Sequence, residues 1–568
     1  MRPLQSCLVL CAALLLFSCA GQAPPSGGPI DTQAPAIISV YPAPSTLYFL
    51  DSKIMLEFDE YVDHRSVEGA IFISPSLGLL EFDWSGAEVE ISFADSLRSN
   101  TTYVVNIGTD VVDIHNKNRM AAAFSLAFST GGTIDPGTIV GRVYPATFSD
   151  PLSGISIFAY KLDTVDPDTV NPSKLKPDYV TQTGTAGGFI LPHLSLGFYR
   201  LFAVRDESKN LLYEPETDEF AVVGKSIRLT QDDTLRTDVT MRLAREDTTA
   251  PRLIKVTPLN RSLLLAEVSE PLDTSSLRIE NVQVTDTVGK RILKIKSVAA
   301  RLPQRSDFYL ATEDQDSGSF YQLRLREVRD LSSNIISASA ASIRFGSSEI
   351  PDTTRPGVQT FSTPDSAKGV EIQPSLEIRF TKPVRKSDWS AMVELRDSLN
   401  RPVALSGGWL NDATLAIRPL RDLWGNAWYR ALIRTGLLVD WNGRAGKDTT
   451  RTAHFLTLDS DRLSSIEGWV SDGSTSDTLG PLVVTAWRTG QKNATFKSVT
   501  VEKQGPFQLL HLPEGNYIMQ AYRDRNGNNR FDAGKVFPFS ESERFSVGSD
   551  TLKLRARWPL ENVQVRLK

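Results

Sequence analysis

The chain predicts an all-β protein made of tandem antiparallel β-sandwiches in an A-B-A-A-B order. Three observations carry this. Asp-Thr-x-x-Pro recurs at Asp31–Pro35, Asp247–Pro251 and Asp352–Pro356, and such self-similarity marks tandem units. A second repeat type occurs between and after these copies. Strand-like runs with two-residue alternation recur throughout, separated by Gly, Pro, Asn and Asp turns. The 568 residues and 41% hydrophobic content suffice for several packed cores.

In chain order, residues 1–18 read as a secretory signal peptide: Arg2, then the apolar run Leu8 to Leu16, then small residues. The run is far short of the ~20 apolar residues of a membrane span. Leu16-Phe17-Ser18-Cys19 resembles the lipobox of bacterial lipoproteins. The resemblance implies cleavage before Cys19, diacylglycerol on its sulfur and acylation of its amine, so that the membrane is a partner through this residue. All three cysteines, Cys7, Cys11 and Cys19, lie at or before this point. The mature chain therefore has no disulfide or free thiol and depends on its hydrophobic cores. Residues 19–30 are rich in Gly and Pro and read as a flexible tether. Ala20 after the cysteine favours the outer membrane by resemblance to the enterobacterial sorting rule.

Unit I spans residues 31–132, unit III 247–347 and unit IV 352–458; these are the A type. Each carries an alternating strand: Ile54 to Glu60, Leu263 to Pro271, or Leu376 to Pro383. Each also has a late Tyr-led strand ahead of an Asp turn: Tyr103 to Asp113, Tyr321 to Asp330, or Tyr429 to Asp440. Each ends on a strand with Phe128, Phe345 or Phe455. The B type comprises unit II, 137–243, and unit V, 463–568. Phe189 to Tyr199 matches Phe507 to Tyr517, with Gly197 and Gly515 at a turn, where glycine makes positive φ cheap. Residues 163–178 read as an exposed Pro- and Asp-rich insertion. Pro-containing junctions between units suggest an extended string able to project well over ~100 Å.

The A units resemble SbsA-type bacterial Ig-like domains at Phe380-Thr381-Lys382-Pro383-Val384 and Asp440-Trp441-Asn442-Gly443. Unit III departs most, with Ser269-Glu270-Pro271-Leu272 and no Gly near Asp330. The B units resemble carboxypeptidase-regulatory-like or Cna B-type domains, a prealbumin-like sandwich. The whole resembles Ig-like-domain lipoproteins of Bacteroidota-type bacteria, which implies envelope localisation and no enzymatic activity.

The chemistry-bearing residues are sparse. The five histidines lack metal-ligand spacing, thiolate chemistry has no cysteine, and no Gly-x-Ser-x-Gly elbow occurs. Carboxylates are plentiful but concentrate in turns, where Asp has a structural role. With 62 basic and 67 acidic residues and no basic stripe, nucleic acid is not an expected partner. His193 and His511, equivalent in the repeat, are expected to be structural. Trp389, Trp409, Trp424, Trp428 and Trp441 make unit IV tryptophan-rich; core packing is expected, and a sugar-stacking platform is the alternative. Triplets such as Asp95-Ser96-Leu97, Asp233-Thr234-Leu235 and Asp448-Thr449-Thr450 fit either turn-to-strand junctions or, by resemblance, a Bacteroidota O-glycosylation sequon.

One stretch has metal-ligand spacing. Asp524, Asn526, Asn528 and Asp532 stand at loop positions 1, 3, 5 and 9, as in calcium loops. The stretch resembles the calcium loops of Cna B-type repeats, but Asn529 replaces the usual Gly and Lys535 replaces the final acid. Two outcomes are open: a weak Ca2+ site, or an Asx-turn network that closes a hairpin without metal. The function expected is a non-enzymatic, lipid-anchored envelope spacer, scaffold or adhesion module, partnered by envelope proteins or polysaccharide. A glycan-binding accessory role is the alternative, and a hydrolase the least favoured.

Overall fold

The computed structural model describes residues 31–75, 77–146, 152–163, 166–474, 478–490 and 496–567. The signal peptide, the tether and Cys19 lie outside the described residues. The fold is the expected run of β-sandwiches, and the one α-helix among the described residues is five residues long, His64–Glu68, capped by Asp63. No helix there is long and apolar enough to cross a membrane.

Each A unit stacks two sheets. In unit I, Ile37–Tyr41, Lys53–Phe58, Glu88–Phe93 and Leu80–Ser85 form one sheet, in that spatial order. Ile71–Ser74, Thr102–Ile107 and Phe124–Ser129 form the other. The alternation read from sequence sets the facing: Ile54, Leu56 and Phe58 are buried, as are Leu376, Ile378 and Phe380 in unit IV. Unit III has the same plan despite its divergent sequence, with Leu263–Val268 paired to Leu253–Asn260 and Asp307–Thr312.

The late tyrosine recurs as a corner pin. The hydroxyls of Tyr103, Tyr321 and Tyr429 accept the N–H of Arg98, Asp316 and Trp424, five residues upstream, at 2.8–2.9 Å. The same rings stack on Phe128, Phe345 and Phe455, with centroids 5.6–5.9 Å apart. One side chain thus joins the segment leading into its strand to the core, the geometry of a tyrosine corner.

The B units share a less expected feature. Gly137–Tyr144 lies between Gly188–Leu194, antiparallel, and Leu235–Arg242, parallel. Leu463–Asp472 lies likewise between Gly505–Pro513 and the parallel Leu560–Leu567. Alternation does not encode strand direction, so this parallel pair was not anticipated. Gly197 and Gly515 take the positive φ expected of them, 152° and 157°.

The units pack on one another, so the extended projection is not adopted. Unit I meets unit II through Thr109 Oγ1, which donates to Thr183 O at 3.0 Å, and the Asp110–Lys209 ion pair at 2.8 Å. Unit III meets unit IV through Leu263, Ala299, Tyr309 and Ala413, with Ser297 Oγ donating to Asp412 Oδ2 at 2.6 Å. His511 of unit V reaches Asp422 of unit IV at 2.8 Å. Unit V then returns to unit II. Val536, fully buried, joins Phe158, Tyr160, Phe202 and Val204. Phe539 packs edge-on to Phe202, and the Arg200 guanidinium lies 3.6 Å from the Phe539 ring centre. Ser542 Oγ donates to Val222 O at 3.1 Å. Units II to V therefore close a ring.

Val536→Asp should open that ring. An unpaired carboxylate in this apolar contact costs on the order of 3 kcal/mol, while the sandwich cores are untouched. Small-angle scattering should report a larger radius of gyration with strand content unchanged by circular dichroism. An unchanged radius would show that the II–V contact does not hold the ring.

Candidate functional site

Strand Gly515–Arg523 is an inner strand of unit V's larger sheet and runs straight into the loop at Asp524. The structure brings together all four residues read from the sequence. Asp524 is fully buried and organises the loop: Oδ1 accepts the N–H groups of Gly527 and Asn528, and Oδ2 that of Asn529, at 2.7–3.1 Å. Asn526 Nδ2 donates to Asp532 Oδ2 at 2.6 Å, and Asn528 Nδ2 to the same carboxylate at 3.3 Å. Asn529 sits at φ 57°, the left-handed conformation that Asn tolerates in place of Gly. The loop is thus closed by its own Asx turns, and the amides of Asn526 and Asn528 face the carboxylate of Asp532.

A fifth residue was missed. Glu543 lies eleven residues beyond Asp532 and is buried, with Oε1 accepting Arg525 N–H at 2.7 Å and Oε2 accepting Asp532 N–H at 3.0 Å. Burial, reinforced by Asp532 and Asp524, pushes its carboxyl up to about 7 despite the two N–H donors. Unit II repeats the arrangement. Asp218 accepts the N–H groups of Glu207 and Glu214, and Asp206 those of Asn210 and Leu211. Burial raises both of these carboxyls as well. The missed signal was an acid two residues before a repeat-equivalent phenylalanine strand position: Asp218 before Phe220, Glu543 before Phe545. In this conformation the carboxylates of Asp524, Asp532 and Glu543 are not gathered within ligand distance of one another, and the amide oxygens of Asn526 and Asn528 accept the N–H groups of Asn528 and Arg530, so a cation would have to rearrange the loop to bind there.

The loop also forms the ring closure. Gly534 has φ +74°, and a Cβ there would lie 2.4 Å from Ser540 O and 2.6 Å from Val222 Cγ2 of unit II. Glu543 and Phe545 line a cleft of about 460 Å³ between the two units, with Lys225 and Arg228 opposite. Loop conformation and inter-unit docking are therefore one structural problem.

The remaining candidates are dispersed. His193 and His511 both take a positive φ, 58° and 57°, at matching strand irregularities. Trp389 and Trp409 pack against the unit IV core, as expected. Trp441 Nε1 donates to Asp412 Oδ2 at 3.1 Å. The expectation of core packing fails for Trp424 and Trp428, which are 75% and 42% exposed. Trp424 lies in the turn pinned by Tyr429, and Trp428 begins the following strand, so the corner holds both outside the core.

A family model for the bacterial Ig-like domain matches residues 31–130 and 352–457. This is a multidomain protein with Ig-like units. The match covers units I and IV and leaves out unit III, whose motifs diverge but whose strand plan agrees. A search of curated proteins finds no match. Among solved structures, the N-terminal part of the bacterial S-layer protein SbsC is similar at 12% identity and TM-score 0.17, over 37% of this chain and 45% of that one. A structure of SbsC domains 1–6 is similar at 10% identity and TM-score 0.17, over 92% and 68%. L,D-transpeptidase 3 from Mycobacterium tuberculosis is similar at 11% identity and TM-score 0.14, over 26% and 46%. The chain thus spans under half the length of the first of these and of the transpeptidase. Likenesses this weak bear on neither activity nor assembly.

The buried acids make unit V pH-sensitive. Glu543 binds its proton more tightly when folded, about 7 against 4.5. Stability should therefore be greatest below pH 4.5 for this group and fall as pH rises to 7, by roughly 3 kcal/mol. In calorimetry of the full chain, millimolar calcium should offset that fall, and Asp524→Ala should remove the calcium effect. Identical melts in calcium and chelator would leave the loop as an Asx-turn network alone.

Proposed function

We propose that this protein is a non-enzymatic envelope scaffold, lipid-anchored through Cys19 at the outer membrane of a Bacteroidota-type bacterium. The observation that carries this reading is the closure of units II to V, together with the docking of unit I on unit II. A chain of sandwiches joined by loose linkers would sample many shapes; side-chain contacts between units I and II, III and IV, IV and V, and V and II restrict these. The result suits a body that sets fixed distances between envelope components. The tether of residues 19–30 can reach at most ~40 Å and lets this body stand off the bilayer. A glycan-binding accessory role is the second reading, supported by the exposed rings of Trp424 and Trp428, because a flat apolar ring in water can stack on a sugar face.

Cys19→Ser should release the protein from the membrane fraction or leave an uncleaved precursor, whereas a mature, detergent-extracted lipoprotein in the mutant would overturn the anchor. Cross-linking in intact cells should capture envelope proteins with the wild type. Capture of polysaccharide, together with Trp fluorescence changes that Trp424→Ala and Trp428→Ala abolish, would instead favour the glycan reading.

A further inference from the structure

In each Ig-like unit three side chains stand at equivalent places, one in the leading segment and two in the body. In unit I these are Asp31, Glu60 and Asp113; in unit III, Asp247, Glu270 and Asp330; in unit IV, Asp352, Lys382 and Asp440. Backbone bridges fix the equivalence. Val62, Leu272 and Val384, each two residues after the middle member, bridge to Asp113, Asp330 and Asp440 respectively.

In unit IV the middle member is a cation. The Lys382 ammonium is buried between Asp352 Oδ2 at 2.5 Å and Asp440 Oδ2 at 2.9 Å, and donates to Thr354 O at 3.2 Å. Asp440 is fixed from behind by the N–H groups of Asn442 and Arg444. This is a cation-binding pocket with its own ammonium as the occupant.

Unit III has the same pocket with the ammonium replaced by a carboxylate. Oxygens of Asp247, Glu270 and Asp330 lie within 4.8 Å of one another. Asp330 is buried and held as Asp440 is, by the N–H groups of Ser332 and Asn334. Asn334 Nδ2 also donates to Asp247 O at 2.7 Å, drawing the leading segment in. Three carboxylates thus gather where the sister unit holds a positive charge.

We propose that unit III binds a calcium ion between Asp247, Glu270 and Asp330, in the place that the Lys382 ammonium takes in unit IV. Three carboxylates on a partly exposed rim suit the flexible all-oxygen coordination of calcium better than the strict octahedron of magnesium. The Thr249 carbonyl, equivalent to that of Thr354, adds a neutral oxygen. The ion ties the segment after unit II to the body of unit III, so the II–III joint depends on calcium. The III–IV joint, locked by Lys382, does not.

The test uses the full chain carrying Cys19→Ser and Asp524→Ala, which removes the lipid and silences the unit V loop. Chelator-stripped protein is titrated with calcium chloride by equilibrium dialysis, and the joint is probed with trypsin at Arg245 and Arg252. Calcium should slow cleavage at the joint at least tenfold. Glu270→Lys should bind one calcium fewer per chain and resist trypsin with or without calcium, because the new ammonium fills the pocket. Lys382→Glu should bind one more. If Glu270→Lys does not fold, Glu270→Gln carries the test: it should lose the same ion and stay cleavable in calcium. Unchanged stoichiometry in the Glu270 variants, or equal cleavage in calcium and chelator, would overturn the proposal.

Discussion

The contact on which the arrangement depends is the seating of unit V's loop on the outer face of unit II. It is built around Val536 and Phe539 against Phe158, Tyr160 and Phe202, with Arg200 over the Phe539 ring and Ser542 bonded to Val222. Its strength comes from being intramolecular. Units III and IV hold the two B units near each other, so the contact forms at a high effective concentration and needs little intrinsic affinity. The loop must also be curled before it can dock, and Asp524 and Glu543 curl it by accepting five backbone N–H groups. Buried acid thus supports an apolar interface.

Much of the fold was legible because each unit is a local problem. The alternation at Ile54, Leu56 and Phe58 states which face is inward, and the Tyr103–Phe128 spacing recurs wherever an A unit occurs. The loop at Asp524 was legible as a motif, and Asn526 and Asn528 do meet Asp532. Glu543 was not found because its role depends on tertiary return of the chain, not on spacing within the loop.

What remained hidden was how units meet. The clue was present in strand Gly197–Val204, where Leu201, Phe202, Ala203 and Val204 are consecutive apolar residues. A strand buried on one face alternates, whereas one apolar on both faces is covered on both. Tyr199 and Leu201 face unit II's own core, and Phe202 and Val204 face unit V. Reading that run as an ordinary sandwich strand concealed the second partner. Two tryptophans depart from the expected core packing for another reason: the corner at Tyr429 fixes the turn around Trp424 outside the sheets, with Trp428 just after it.

The three corner tyrosines and the ring closure place very different resistances in series. Separating the sheets of an A unit means opening its whole buried hydrophobic core, whereas parting unit V from unit II exposes only the patch around Val536 and Phe539. Tension along the chain would be taken up first at that face. The molecule would lengthen by straightening its ring while every sandwich stayed folded, and would shorten again when the load was removed. A scaffold built this way is stiff at rest and extensible under load, with slack stored in its topology, not in a disordered linker.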